Sequence, residues 1–364
     1  MADDAIAVDW WRRLADGRIE CTLCPRACHL HPGQRGLCFV RRAAETGMEL
    51  TGFGRSTGFC IDPIEKKPLY HFLPGTAVLS FGTAGCNLAC DFCQNHDTTK
   101  SRETAIQSAR AMPDTIARAA ERLGCASVAY TYNDPVIFLE YAVATAEACR
   151  ARGIRNVAVT AGYVEPAPRR VFFAAMDAAN VDLKAFTERF YAERCKARLA
   201  PVLDTLRHLV HETSVWTEIT TLLIPGENDG DDEIDAMTRW IAAELGREVP
   251  LHFSAFHPDW RMTDTPATPK ATLDRARSIA VANGLAHVYV GNVRDPARQS
   301  TLCPTCGTRV VGRDWHAVTS WALDDHGACR ACGTPLAGRF EGPPGTWGRK
   351  RLPVDIERFA APSG

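Results

Sequence analysis

Between residues 78 and 293 the chain alternates short apolar runs with longer stretches of helical period, and this alternation limits its architecture more than any other feature. Strands are predicted at 78–82, 127–132, 156–160, 180–184, 215–224 and 250–256, with a further short one at 287–290. Helices are predicted between them at 114–123, 136–152, 168–178, 188–211, 232–246 and 270–283. Such repetition gives an α/β fold of parallel strands joined by right-handed crossovers. Six repeats are too few for a complete eight-unit barrel. Periodicity alone leaves a partial (β/α)6 barrel and a doubly wound sheet both open. In either, ligands bind at the C-terminal ends of the strands, so the strand exits are where chemistry is expected.

The first exit carries Gly85-Cys86-Asn87-Leu88-Ala89-Cys90-Asp91-Phe92-Cys93, a C-x3-C-x2-C spacing. Thiolates are the usual ligands of a [4Fe-4S] cluster, four to a cluster, so three from one loop leave one iron open to an exogenous ligand. Three buried apolar thiols, or a zinc site completed from elsewhere, are the competing readings.

Fifteen cysteines are many for a chain of 364 residues, and most of them cluster. Cys21, Cys24, Cys28 and Cys38 fall in a region short of core residues, which suggests dependence on a metal. Zinc and an auxiliary iron–sulfur cluster satisfy that spacing equally. Cys303, Cys306, Cys329 and Cys332 form two C-x2-C knuckles, the pattern of a closed, structural zinc site, with a rubredoxin-like iron site as the lesser alternative. Clustering and an odd total argue for metal sites in a reducing compartment rather than disulfides. With no long apolar run and no apolar leader, a cytoplasmic protein that does not span a membrane is expected. Net charge of −1 gives no global attraction to nucleic acid. The basic run Arg349, Lys350 and Arg351 is weak support for nucleic acid, an acidic partner or the protein's own acidic surface. Asp62, Glu65, Lys66 and Lys67 read as a solvated charge run on a surface loop, with a substrate-facing role as the lesser alternative. The expected divisions are 1–45, a four-cysteine region; 46–77, a connector; 78–295, the strand–helix repeat; and 296–364, a zinc-ribbon-like region with a basic tail.

Taken together, these motifs resemble the radical S-adenosylmethionine (SAM) enzymes. The resemblance rests on the Cys86–Cys93 loop, Cys21-Thr-Leu-Cys24-Pro-Arg-Ala-Cys28, Asp62-Pro-Ile-Glu-Lys-Lys-Pro-Leu69, Tyr130-Thr-Tyr-Asn133 and Val181-Asp-Leu-Lys184. It is nearest to the radical SAM enzymes of the AmmeMemoRadiSam system, relatives of pyruvate formate-lyase activating enzyme, and runs from about residue 10 to residue 351. It implies the partial barrel, and a [4Fe-4S] cluster on Cys86, Cys90 and Cys93 whose open iron takes SAM. Asn133 and Asp134 would hold the SAM amino group, where the activases carry a longer glutamate. Asp134 also reads as a helix cap. Thr160 matches an activase strand end, although Val159 replaces the aspartate beside it. Asp182 and Lys184, on one face of a strand, would supply a partner for the SAM carboxylate, or form an internal ion pair. His257 would approach the ribose, and Phe92 would pack near the adenine. Glu218 and Thr220 would point inward, and an arginine often found on that strand is absent.

The implied activity is reductive cleavage of SAM to methionine and a 5′-deoxyadenosyl radical, which takes hydrogen from a substrate the sequence does not identify. A ferredoxin or flavodoxin would supply the electron. Two other functions stay open: an activase that installs a glycyl radical on a partner protein of the same system, and a metal-rich binding or scaffold protein.

Overall fold

The computed structural model describes residues 5–100 and 108–360. Its centre is one long sheet. The strands are β1 (Arg55–Pro63), β2 (Ala77–Gly82), β3 (Ser127–Tyr130), β4 (Arg155–Thr160), β5 (Ala178–Asp182), β6 (Trp216–Leu223), β7 (Leu251–Ala255) and β8 (Val288–Gly291). Strands β2 to β8 are parallel and lie in chain order across the sheet. The short run at 287–290 is therefore a seventh parallel strand.

The connecting helices are α1 (Pro113–Arg122), α2 (Leu139–Arg150), α3 (Pro166–Ala174), α4 (Ala200–Glu212), α5 (Asp231–Trp240) and α6 (Lys270–Ala282). Proline in the first turn starts α1, α3 and α4, where its missing N–H costs no hydrogen bond. Each helix turns a narrow apolar face to the sheet, such as Ile116, Ala117 and Ala120 of α1.

The single helix predicted at 188–211 is broken. A turn of helix at Glu188–Phe190 runs into a π-helical turn at Tyr191–Cys195, Lys196 takes a left-handed conformation with φ of 54°, and α4 begins anew at Ala200. Pro201 cannot donate to a preceding turn, and Glu188 accepts the N–H groups of Leu199 and Ala200 at the restart. The break carries Cys195 towards the barrel interior.

Residues 46–77 are not a surface connector. Strand β1 extends the central sheet antiparallel to β2, with Ile61 opposite Leu79. The expected solvated charge run is largely buried: Asp62 is 0% and Lys67 3% exposed. Lys66 and Lys67 donate to the two Asp62 oxygens at 3.1 and 2.8 Å, and Glu65 accepts the Gly75 N–H at 2.8 Å with Arg313 3.6 Å away. Opposite charges meeting within five residues lower the cost of removing each from water. The following Ile64, Leu69, Phe72 and Leu73 pack on Val78, Ala129, Val157 and Ala178 and plug the N-terminal end of the barrel.

The N-terminal region folds as two three-stranded antiparallel sheets. Buried Arg41 ties it to the barrel, donating to Glu140 at 3.0 and 2.5 Å and to the Ile137 carbonyl at 3.1 Å. The C-terminal region contains the hairpin β9 (Arg309–Asp314) and β10 (Ala317–Trp321), around a small core of Val310, Val311, Leu323 and Phe340. The basic tail folds back on its own chain: β11 (Leu352–Pro353) pairs with β1, and Arg351 lies beside Cys60. Among the described residues no helix is long and apolar enough to cross a membrane.

Candidate active site

The strand exits surround a cavity of about 430 Å³. Cys86, Cys90 and Cys93 enter it on the loop after β2. Gly85 begins that loop at φ of 86°, and a Cβ there would collide with the carbonyl oxygen of Cys38, so glycine is required twice over. Asn133 braces the loop from β3: its amide donates to Thr83 Oγ1 at 3.0 Å and Gly85 O at 2.9 Å, and its Oδ1 accepts the Thr83 N–H at 3.1 Å. On the other side the Ala89 and Asp91 N–H groups donate to the carbonyls of Cys195 and Arg194. The broken helix is thus part of what positions the cysteines.

Charge is distributed unevenly around the loop. Burial, and then the Asp134 carboxylate, push the Cys86 thiol up to about 12. Cys90 moves the other way, to about 7, chiefly through the neighbouring buried Cys195 thiol. Lys184 donates to Asp182 at 2.7 Å, and this pair holds Lys184 charged although burial opposes it. Asp134 is raised to about 6 by burial, even though Val136 N–H, Thr160 Oγ1 and Ala161 N–H all donate to it, at 3.1, 2.9 and 3.2 Å. The cap reading of Asp134 and its position on the cavity wall coexist.

Of the wall formed by β6 and β7, only Glu218 and Thr220 are expected from the sequence, as inward-pointing residues. Buried Glu218 accepts from Tyr70 N–H, His71 N–H, Trp216 Nε1 and His252 Nε2, the last at 2.7 Å. Burial pushes the carboxyl up, but His252 outweighs it and brings Glu218 down to about 2. His252 and its β6 neighbour Thr220 line the cavity. So do Lys66, Lys67 and the β9–β10 tip, Trp315 and His316, where Trp315 sits at φ of 59°. The Thr220 hydroxyl has no hydrogen-bond partner among the described residues.

Phe92, Asn133, Asp134, Thr160, Asp182 and Lys184 therefore share one cavity with the three cysteines. His257 does not join them. It lies exposed two residues past β7, its Nδ1 3.4 Å from Gln94 Nε2, because the Phe256 N–H is drawn to Thr268 Oγ1 and turns the chain outward. Missed in the sequence were His252, Cys195, Trp315 and His316, while Lys67 reads there as part of a solvated charge run. Only the alternation of β7, which sets His252 and Ser254 on one face, offered a signal.

Away from the cavity, the sulfurs of Cys303, Cys306, Cys329 and Cys332 all lie within 4.8 Å of one another, with Cys303 to Cys332 at 3.6 Å and Cys306 to Cys329 at 3.7 Å. One tetrahedral ion with bonds of about 2.3 Å holds thiolates roughly 3.8 Å apart, so this group can bind a metal.

A family model described as the Radical SAM superfamily matches residues 81–240, the stretch containing the cysteine loop and β3 to β6. An uncharacterized protein of Methanocaldococcus jannaschii is 38% identical over 328 residues, 90% of this chain and 97% of that one. Residues 81–240 of the chain are thus a radical SAM domain, and that family implies a [4Fe-4S] cluster and SAM. Among solved structures, a radical SAM methyltransferase from Sphaerobacter thermophilus is similar at TM-score 0.47 and 15% identity, over 79% of this chain and 77% of that one. Streptococcus suis SuiB bound to S-adenosylmethionine is similar at TM-score 0.48 and 13% identity, over 63% and 53%. A domain of a pyruvate-formate lyase-activating enzyme from Bacteroides vulgatus is similar at TM-score 0.41 and 17% identity, over 46% and 99%.

Proposed function

We propose that this chain is a SAM-cleaving oxidoreductase whose cluster is held by Cys86, Cys90 and Cys93. The observation that carries the reading is their convergence, on one cavity, with a buried carboxylate at Asp134 and a half-buried cation at Lys184. The residues fit the cofactors: no three sulfurs of this loop crowd within the 4.8 Å that brings the C-terminal four together, as suits ligands of three different irons. When bound, cluster and SAM supply one-electron cleavage of the sulfonium to methionine and a 5′-deoxyadenosyl radical, which takes hydrogen from the substrate.

The chain's own residues do the rest. Asp134 pairs with the SAM ammonium, and Thr160 and the Ala161 N–H hold that carboxylate in place. Lys184 offers its ammonium to the SAM carboxylate while Asp182 keeps it charged. Phe92, 4% exposed, is the apolar surface for the adenine. Glu218 fixes the His252 ring from below, leaving its other edge for the substrate, and burial of these groups keeps water from the reacting atoms.

The substrate in this reading lies against Lys66, Lys67, His252 and the Trp315–His316 tip. A partner protein's glycine, as in an activase, would have to reach past that tip. A low-potential iron–sulfur or flavin protein, of ferredoxin or flavodoxin type, supplies the electron. Zinc is our assignment for the C-terminal four cysteines. None of the fifteen cysteines is in a disulfide, which suits a reducing compartment such as the cytoplasm.

The test is low-temperature electron paramagnetic resonance (EPR) of the reduced, anaerobically reconstituted protein. SAM should change the cluster signal, and Cys90→Ala should lack the signal that changes. An intact reduced cluster indifferent to SAM would sink the proposal.

A further inference from the structure

The molecule contains a second set of four cysteines that the reaction above does not use. Cys21, Cys24, Cys28 and Cys38 come together from two turns of the N-terminal region: the Cys21 N–H donates to the Cys28 carbonyl at 3.0 Å. A Cβ placed on Gly36 would lie 3.6 Å from Cys28 Sγ and 3.7 Å from Cys38 Sγ, so these two sulfurs face the same spot. Main-chain N–H groups lie near the sulfurs and favour their thiolate forms: Leu23 near Cys21, Arg26 near Cys24, and Val40 and Arg41 near Cys38. The fully buried Arg41 guanidinium, paired on one side with Glu140, stands beside Cys21 and Cys38. Amide donors and a buried cation are what a negatively charged group of thiolates requires.

The spacing of the sulfurs says which group that is. The C-terminal four lie within 4.8 Å of one another, but no three of the N-terminal four do. A single ion with bonds of about 2.3 Å cannot span such a set without pulling it inward. A cubane can, because each thiolate binds a different iron. Among the described residues, no three sulfurs of the Cys86–Cys93 loop gather within that limit either.

We propose that Cys21, Cys24, Cys28 and Cys38 hold a second [4Fe-4S] cluster that exchanges electrons with the cluster on Cys86, Cys90 and Cys93. Four thiolates leave no open iron, and none of the four cysteines lines the cavity, so this cluster neither binds SAM nor touches the substrate. What it touches is the other cluster's loop. The Cys38 carbonyl packs on Gly85, next to Cys86, and Arg26 Nε donates to the Asn87 carbonyl at 2.8 Å. One electron from a low-potential iron–sulfur or flavin protein reduces the N-terminal cluster, which is reoxidised as the SAM-binding cluster is reduced. No bond forms or breaks and no proton moves in this step. The relay rests on the ligand assignment proposed above; the N-terminal cluster itself does not.

The test separates the two. The full-length Cys86→Ala/Cys90→Ala/Cys93→Ala variant, reconstituted anaerobically with iron and sulfide, is expected to hold about four irons and give an EPR signal on reduction that SAM leaves unchanged. Wild type is expected to hold about eight, and its fully reduced spectrum should be broadened relative to the sum of the single-cluster spectra, since neighbouring spins couple. A triple variant that takes up zinc and no iron overturns the cluster, and a wild-type spectrum equal to the simple sum overturns the electron exchange. If the triple variant does not fold, Cys21→Ser/Cys24→Ser serves instead: iron falls from about eight to about four while the SAM-sensitive signal stays. Iron unchanged in that variant overturns the proposal. An error in the SAM-cluster assignment would appear separately, as a wild-type signal blind to SAM with the triple variant still carrying iron.

Discussion

The Cys195 thiol, buried in a π-helical turn, lies beside the Cys90 sulfur on the cavity loop and holds the Cys90 thiol below its ordinary value. Hydrogen bonds to cluster sulfurs stabilise the reduced, more negative state and raise its potential. Cys195→Ala should therefore make the potential of the SAM-binding cluster more negative and slow SAM cleavage at a fixed donor potential, with iron content unchanged. An EPR-monitored redox titration reads the shift. A potential equal to wild type would show that the contact has no electronic effect.

Asp134 should make SAM binding depend on pH. Its carboxyl is raised to about 6 in the SAM-free protein, and only the ionised form pairs with an ammonium. Below about pH 6 a proton must leave for SAM to bind, so the apparent Kd should rise about tenfold per unit as pH falls, and should be flat above about pH 7. Asp134→Asn should remove the slope and weaken binding about tenfold or more, since a hydrogen bond to a charged group contributes roughly 1.5–3 kcal/mol. Calorimetric titration between pH 5.5 and 8 measures both.

The Glu218–His252 pair should matter to stability. Glu218 is held at about 2, well under its ordinary 4.5, so its contribution is present above about pH 4.5 and is lost as pH falls towards 2. Glu218→Gln replaces the carboxylate that four buried donors share with a weaker acceptor. Leaving a buried donor unsatisfied costs about 1–3 kcal/mol. Urea unfolding at pH 7 should show a loss of that size, and a loss under about 1 kcal/mol would mean that the site relaxes around the substitution.

The strand–helix succession and the cysteine loop were legible because both are local. Strand alternation and C-x3-C-x2-C depend on residues a few positions apart, and the loop's place after β2 follows from them. The connector was misread for a physical reason. Asp62, Glu65, Lys66 and Lys67 look solvated until Asp62 is seen to take both lysines and Glu65 to meet Arg313, 248 positions away. Glu218 and His252 are likewise joined only by the pairing of β6 with β7. Cys195 needed the helix break at Lys196, which a continuous helical pattern over 188–211 concealed.

The C-terminal cysteines should hold one metal ion, and the region should depend on it. Its core is small, and Cys303 and Cys329 are themselves part of that core. Chelation should release one zinc and expose the amides of β9 and β10 to hydrogen exchange while β3 to β6 stay protected. Because Trp315 and His316 line the cavity, the freed tip should also lose its protection. Unchanged exchange in β9 after complete zinc loss would contradict this dependence.

The central claim is that this chain cleaves SAM at Cys86, Cys90 and Cys93, and the most direct measurement is the product. Reduced, cluster-loaded protein incubated anaerobically with SAM should release 5′-deoxyadenosine and methionine in equal amounts, and Cys90→Ala should release neither. A fully loaded, reduced wild type that binds SAM and yields no 5′-deoxyadenosine, or a Cys90→Ala variant with undiminished yield, would contradict the account.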